Sequence, residues 1–316
     1  MIAIAAACGT YGGEEPPAQA PEEPPIDAGR STATDAGAND ASEIADAHTS
    51  DVEASTPARC NPTAPFGEPA PVMELNTGVA ENSAWLTPDE LTVYFARASK
   101  LMKATRATTT APFSMPEPAP FVDDDDSGEH PSLTRDELTI VFSRADILRT
   151  STRPNPNALF PRAGVMPELN SASAAEGTPA LADEGREIYF RRNTGAQVGN
   201  ELFVAARAGA VGAFGAAQRL PINSPSNDSH PVVREDGLEL WFASNRAAGN
   251  GNRIFVATRP SRQESFGMPV EVAELNGAGT FNVPAWISPD GCVIWIATNR
   301  PGGAGATDLF RAARPL

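Results

Sequence analysis

The stretch "ISPDGCVIWI", residues 287–296, reads as a tight turn followed by a buried strand. In such a turn Pro presets φ, Asp bonds its own backbone, and Gly accepts positive φ. The apolar run that follows suits a strand covered on both faces. Four near copies precede it: "LTPDELTVYF" (86–95), "LTRDELTIVF" (133–142), "LADEGREIYF" (181–190) and "VREDGLELWF" (233–242). Their acidic turn residues are Asp89, Asp136, Glu184 and Asp236, with Asp290 in the last copy, so the phrase returns about every 50 residues. Only the last copy carries a cysteine, Cys292.

Two further phrases recur in step. One follows each turn and ends at Arg106, Arg153, Arg207, Arg259 and Arg314, as in "KLMKATR" and "RIFVATR". The other precedes it: "PFGEPAPVMELN" (65–76), "PFSMPEPAPFVD" (112–123), "LFPRAGVMPELN" (159–170), "AFGAAQRLPIN" (213–223) and "SFGMPVEVAELN" (265–276). Helical i, i+3, i+4 spacing is absent throughout. Short β-branched and aromatic runs repeating at this period define a β-propeller rather than a helical solenoid.

The expected fold class is therefore all-β, with five four-stranded blades. Residues 66–76 form a fourth-strand phrase and residues 308–314 a third-strand phrase. An N-terminal strand that joins the last blade closes the ring and leaves no orphan edge. Six blades are the alternative, and would need a unit with no visible counterpart. The phrases resemble the TolB-type β-propeller repeats, the WD-like family with an S-P-D-G turn, over roughly residues 62–316. "SPDG" at 288–291 carries the likeness best, and "FASNR" (242–246) and "IATNR" (296–300) resemble that family's second-strand ending. The resemblance implies a propeller of a kind found among predicted bacterial envelope lipoproteins; it implies no particular activity, and TolB's role in the Tol system is not carried over.

Composition divides the chain near residue 60. From Gly9 to Arg59 there are eleven acidic residues against two basic, so this segment holds −9 of the net charge of −16. With one aromatic residue and no Leu, Phe or Trp, it is expected to be a disordered tether. A flexible coil of roughly 50 residues reaches about 40 Å. "MIAIAAACG" places small residues before Cys8 and resembles the end of a bacterial lipoprotein signal, which makes Cys8 the expected lipidation site. A basic n-region and a full-length apolar run are lacking, which a start codon assigned too far downstream explains. The expected organisation is a partial signal over 1–8, a tether over 9–59 and a propeller over 60–316. Gly9 stands where an Asp-type inner-membrane retention signal would sit, so the outer membrane is the expected location. The overall acidity argues against nucleic acid as a partner.

Cys60 lies just before the closing strand and Cys292 lies in the blade that strand joins. A Cys60–Cys292 disulfide is expected as a clasp on the ring, which requires an oxidising compartment. Strand four pairs with strand three, so Cys60 must reach inward across the blade to meet Cys292.

His130 in "GEHPSL" and His230 in "DSHPVV" share one register, with Ser83, Thr178 and Pro284 as equivalents. That register begins the innermost strand near one channel mouth, and the acids Glu81, Glu129, Glu176 and Asp228 stand at or just upstream of it. Propellers commonly bind ligands at such a polar ring; the competing reading is that His-Pro merely caps a strand start. "DDDD" at 123–126 lacks the alternating ligand spacing of a calcium loop and reads as a solvated loop. Arg97, Arg144, Arg192, Arg246 and Arg300 are expected to pair with turn acids, and Trp85, Trp241, Trp286 and Trp295 to pack between blades.

No nucleophile elbow or phosphate loop is present, and no metal or cofactor is expected. The expected function is an anchored, monomeric binding or scaffolding module for an envelope protein or glycan. The alternative is a glycosidase-like enzyme that uses the channel-mouth carboxylates.

Overall fold

The computed structural model describes residues 58–316, apart from 123–125, 196–198, 248–250, 278 and 280. Cys8, the acidic segment up to residue 57 and most of "DDDD" lie outside the described residues.

Twenty short strands build five antiparallel four-stranded sheets. β1 (Ala70–Pro71) comes first and belongs to the last blade. Blade 1 contains β2 (Glu81–Leu86), β3 (Thr92–Arg97), β4 (Lys100–Thr105) and β5 (Glu117–Pro118). Blade 2 contains β6 (Glu129–Leu133), β7 (Thr139–Arg144), β8 (Ile147–Thr152) and β9 (Gly164–Val165). Blade 3 contains β10 (Ala175–Ala182), β11 (Glu187–Asn193), β12 (Asn200–Ala206) and β13 (Gln218–Arg219). Blade 4 contains β14 (Asp228–Val233), β15 (Glu239–Ser244), β16 (Arg253–Thr258) and β17 (Val270–Glu271). Blade 5 contains β18 (Asn282–Ile287), β19 (Val293–Thr298) and β20 (Asp308–Ala313), completed by β1 on the outer edge of β20.

The apolar runs are continuous because each second strand is covered on both sides. On β3, Val93 and Phe95 join the core shared with blade 5, while Tyr94 joins the core shared with blade 2. The core is accordingly split into clusters that sit between blades rather than gathered at one centre. Trp241 and Trp295 are among the largest fully buried side chains.

The repeated polar residues hold each blade in register. Asp89, Asp136, Asp236 and Asp290 accept the backbone N–H two residues on, at 2.9–3.0 Å. The next residue has positive φ in each turn: Glu90, Glu137, Gly237 and Gly291. Blade 3 departs: residues Asp183–Gly185 form a short 3-10 turn, and Glu184 itself takes φ +53°. The arginine ending each third strand lies over the Phe of the next phrase, 4.2–4.5 Å from the ring centre, in all five blades. In blades 1 to 4 its Nε also donates to a turn carbonyl, of Glu90, Glu137, Gly185 or Gly237. Asn76, Asn170, Asn223 and Asn276 mimic a missing strand residue, each accepting from a third-strand N–H and donating to that residue's carbonyl.

Cys60 and Cys292 form a disulfide that joins positions 232 residues apart. The chain reaches it without crossing the blade. Residues 61–67 run along the end of β20, with Asn61 donating to Pro315 and Gly67 to Ala313. Arg59 then meets Asp290 in the turn before β19, which brings Cys60 over the head of that strand.

Candidate functional site

The five innermost strands, β2, β6, β10, β14 and β18, enclose a channel cavity of about 320 Å³. One level of its wall is built from Ser83, His130, Thr178, His230 and Pro284, one residue per blade. In blades 1 to 4 the inner strand slips its pairing register there, and in blade 5 the slip falls one residue later, at Ala285. Four of the five residues have left-handed backbone: Ser83 (φ +49°), His130 (+57°), Thr178 (+48°) and His230 (+53°). The fifth is proline, whose ring forbids positive φ. Bulges of this kind re-aim side chains, and positive φ is costly for ordinary residues and most unusual for β-branched Thr.

The two histidines meet edge to face, with ring centres 5.1 Å apart. Nδ1 of His130 lies 3.2 Å from the Ser143 hydroxyl, and Nδ1 of His230 lies 2.9 Å from that of Ser229. The backbone N–H of His230 donates to Thr178. Each Nε2 is therefore the ring nitrogen without a protein partner among the described residues. Burial lowers the pKa of His130 to about 4 and that of His230 well below the ordinary value, where the charges of His130 and Arg191 add to the effect. Both rings are neutral at pH 7. The Ser83 hydroxyl is buried without a hydrogen-bond partner.

The neighbouring acids serve a different purpose. Glu81, Glu176 and Asp228 are fully buried and pair with Arg97, Arg192 and Arg246 at 2.7–2.9 Å. Each carboxylate also accepts the N–H of an upstream loop residue, Thr77, Ser171 or Ser224. Each arginine then donates to a carbonyl in the loop that follows the preceding blade's fourth strand, of Leu75, Leu169 or Ile222. Blade 5 repeats the bracket with a neutral Asn282 facing Arg300, which donates to Leu275. The bracket thus ties an inner strand to its own second strand and to the loop leaving the preceding blade, and none of the three acids lines the channel cavity. The expectation that these arginines meet turn acids is corrected here: the turn acids face their own backbone, and the strand-head acids take the arginines.

Blade 2 is the exception. Glu129 is half-buried, accepts from the Ser99 hydroxyl, and borders a separate cavity of about 290 Å³ with Ser143, Asp146 and Arg191. Glu129 is thus the sequence-selected acid that borders a cavity. Arg144 donates to the Ser127 carbonyl instead.

The channel's opposite end is charged. Arg262 pairs with Asp183 at 2.8 Å, and Arg135 pairs with Glu235, linking the turns of blades 2 and 4. Sequence reasoning missed this ring because its charges sit at different offsets in each turn. Trp85 and Trp286 also face the channel, besides packing between blades. Among the described residues no group of three or more His, Cys, Asp and Glu is arranged to hold a metal ion, and no helix is long and apolar enough to cross a membrane.

No family model and no curated protein matches the chain. Solved structures do. The catalytic domain of the Coprinopsis cinerea GH62 α-L-arabinofuranosidase aligns with a TM-score of 0.53 at 11% identity, over 80% of this chain and 97% of that one. A thermostable family-43 glycoside hydrolase aligns at 0.53 and 11% identity, over 76% and 91%. A putative TolB from Agrobacterium tumefaciens aligns at 0.42 and 12% identity, over 75% and 91%. At these identities the likeness is one of fold.

Proposed function

We propose that the protein is a lipid-anchored, extracytoplasmic propeller that binds an envelope protein or glycan, and that it is not a hydrolase. The observation behind this reading is the arginine bracket. Carboxylates that serve glycoside hydrolysis must face a cleft as an acid and a base or nucleophile. Three of the four candidates are instead buried in ion pairs whose work is structural. The level of Ser83, His130, Thr178 and His230 is the binding surface in this reading. Its neutral donors and acceptors suit uncharged polar groups, such as sugar hydroxyls or peptide amides. Strained backbone retained at four positions of one ring supports a recognition role.

The disulfide supports the extracytoplasmic part of the reading, since such bonds persist in oxidising compartments. Anchoring at Cys8 rests on the sequence, and stable anchoring takes more than one acyl chain.

The test is capture from envelope extract by the oxidised full chain, with bound protein and sugar both quantified. One partner recovered in stoichiometric yield, and lost with His130→Ala/His230→Ala, supports the proposal. Hydrolysis of arabinosyl or xylosyl substrates that disappears in Glu129→Gln would overturn it.

A further inference from the structure

The seam between blades 5 and 1, where the ring closes, is chemically unlike the other blade junctions. A cleft of about 430 Å³ there is lined by Arg59, Arg106, Arg311 and Arg314, with Thr109 and Thr110 at its rim and no carboxylate residue in its wall. This basic cleft lies in a chain of net charge −16.

The repeat explains why these arginines are left over. Arg314 keeps its seat 4.4 Å from the Phe66 ring centre. Unlike its four counterparts, its Nε is buried without an acceptor, and its Nη1 turns to the Pro62 carbonyl. Arg311 occupies the third-strand position held elsewhere by Lys103, Thr150, Val204 and Val256. Lys103 reaches Glu137 of the next blade at 3.7 Å. The matching carboxylate for Arg311 is Glu90, but Glu90 is already paired with Arg59 and Arg106. Arg311 therefore has no carboxylate partner among the described residues, and its Nε is buried without an acceptor. Trp295, its cross-strand neighbour, buries an indole N–H in the same condition.

Two buried donors, the Arg311 Nε and the Trp295 indole N–H, thus lie without an acceptor among the described residues at this seam, and the Arg314 Nε adds a third at the end of the same strand. Among the described residues, only Glu90 and Asp290 supply carboxylates that contact the four arginines, Asp290 through Arg59. Glu74 and Asp89 act on Arg106, and Glu239, Glu274 and Arg234 on Arg314, from farther away. Burial pulls Arg106 and Arg314 below the ordinary guanidinium value. Among the described residues these contacts leave two cationic charges unmatched, which is the charge of a phosphate dianion. Guanidinium forks converging from several sides suit its tetrahedral oxygens better than the two oxygens of a carboxylate.

We propose that this cleft is a binding site for a phosphate group, distinct from the channel. The phosphate belongs either to a soluble ligand or to a lipid headgroup, and both present the same chemistry to the arginines.

The test titrates inorganic phosphate into the oxidised full chain carrying Cys8→Ser, at low ionic strength, with acetate as the comparison. Phosphate is expected to bind and acetate to bind at least about tenfold more weakly. Arg311→Val should lose about tenfold or more in phosphate affinity while folding normally, because Val204 and Val256 hold that position in blades 3 and 4. Equal affinity in Arg311→Val and the parent, or equal affinity for acetate, would sink the proposal. A vesicle arm separates the sources. Sedimentation with phosphatidylglycerol but not phosphatidylcholine vesicles, lost in Arg311→Val, assigns a lipid headgroup. Phosphate binding without vesicle binding assigns a soluble ligand.

Discussion

At the level of single residues, the channel ring is defined by backbone conformation as much as by side-chain chemistry. Ser83, His130, Thr178 and His230 adopt positive φ at the same register of four blades. A left-handed L-residue costs roughly 1–2 kcal/mol, so the ring is held by the blades around it. The two imidazoles add a pH dependence. In the folded protein burial keeps both neutral, with the pKa of His130 at about 4. In the unfolded chain they protonate near 6.5. Between those values the unfolded state binds more protons, so stability is full above about pH 6.5 and falls as pH drops towards 4. The loss from His130 should be on the order of 3 kcal/mol across that window, and His230 acts in the same direction. In His130→Asn/His230→Asn, which tolerates positive φ, denaturant unfolding from pH 7 to 4.5 should show a shallower slope. An unchanged slope would mean that these rings already titrate normally when folded.

At the level of the element, four of the five blades share a bracket that joins the head of the inner strand to the end of the second strand and to the loop after the preceding blade's fourth strand. Glu81, Glu176 and Asp228 supply its carboxylates, and Asn282 shows that a neutral residue can hold the same place when its surroundings are adapted. Removing a charge from an unadapted bracket leaves a half-buried guanidinium without its counterion. Glu81→Gln, Glu176→Gln and Asp228→Asn should therefore each lower unfolding free energy by about 2 kcal/mol. Glu129→Gln, at a half-buried site without a bracket, should change it by less than about 0.5 kcal/mol. Chemical denaturation of the four variants checks the contrast. Equal costs would mean that Glu129 is as structural as the others.

Across the whole molecule, ring closure depends on β1, a strand of only two residues paired with β20. So short a strand holds weakly, and the clasp compensates by fixing the segment just before it. The disulfide closes a loop of 232 residues, which in the chain-entropy model restricts the unfolded state by about 5 kcal/mol. Cys60→Ser/Cys292→Ser should lower the midpoint of denaturant unfolding by several tenths of a molar or more. It should also free the segment around Arg59, which would be read as faster amide exchange at Asn61 and Gly67. Protection at those amides equal to that of the oxidised protein would show that β1 closes the ring unaided.

The sequence by itself determined the five-bladed propeller, the closing strand, the cysteine pair and the shared register of the two histidines. These were legible because each blade solves the same packing problem, so local turn chemistry and strand pattern return at a fixed interval. Its reading of Glu81, Glu176 and Asp228 as mouth carboxylates went astray for a physical reason: strand position does not say which neighbour takes a charge. Their partners, Arg97, Arg192 and Arg246, are close in sequence, but only the folded molecule shows them turning to these carboxylates and then to a carbonyl in the loop leaving the preceding blade. The left-handed ring and the basic seam were equally hidden. The first arises from register slips that leave no residue signature, since Ser, His and Thr all occupy it. The second brings Arg59 beside Arg106, Arg311 and Arg314, and only the meeting of the chain's two ends at blade 5 makes them neighbours.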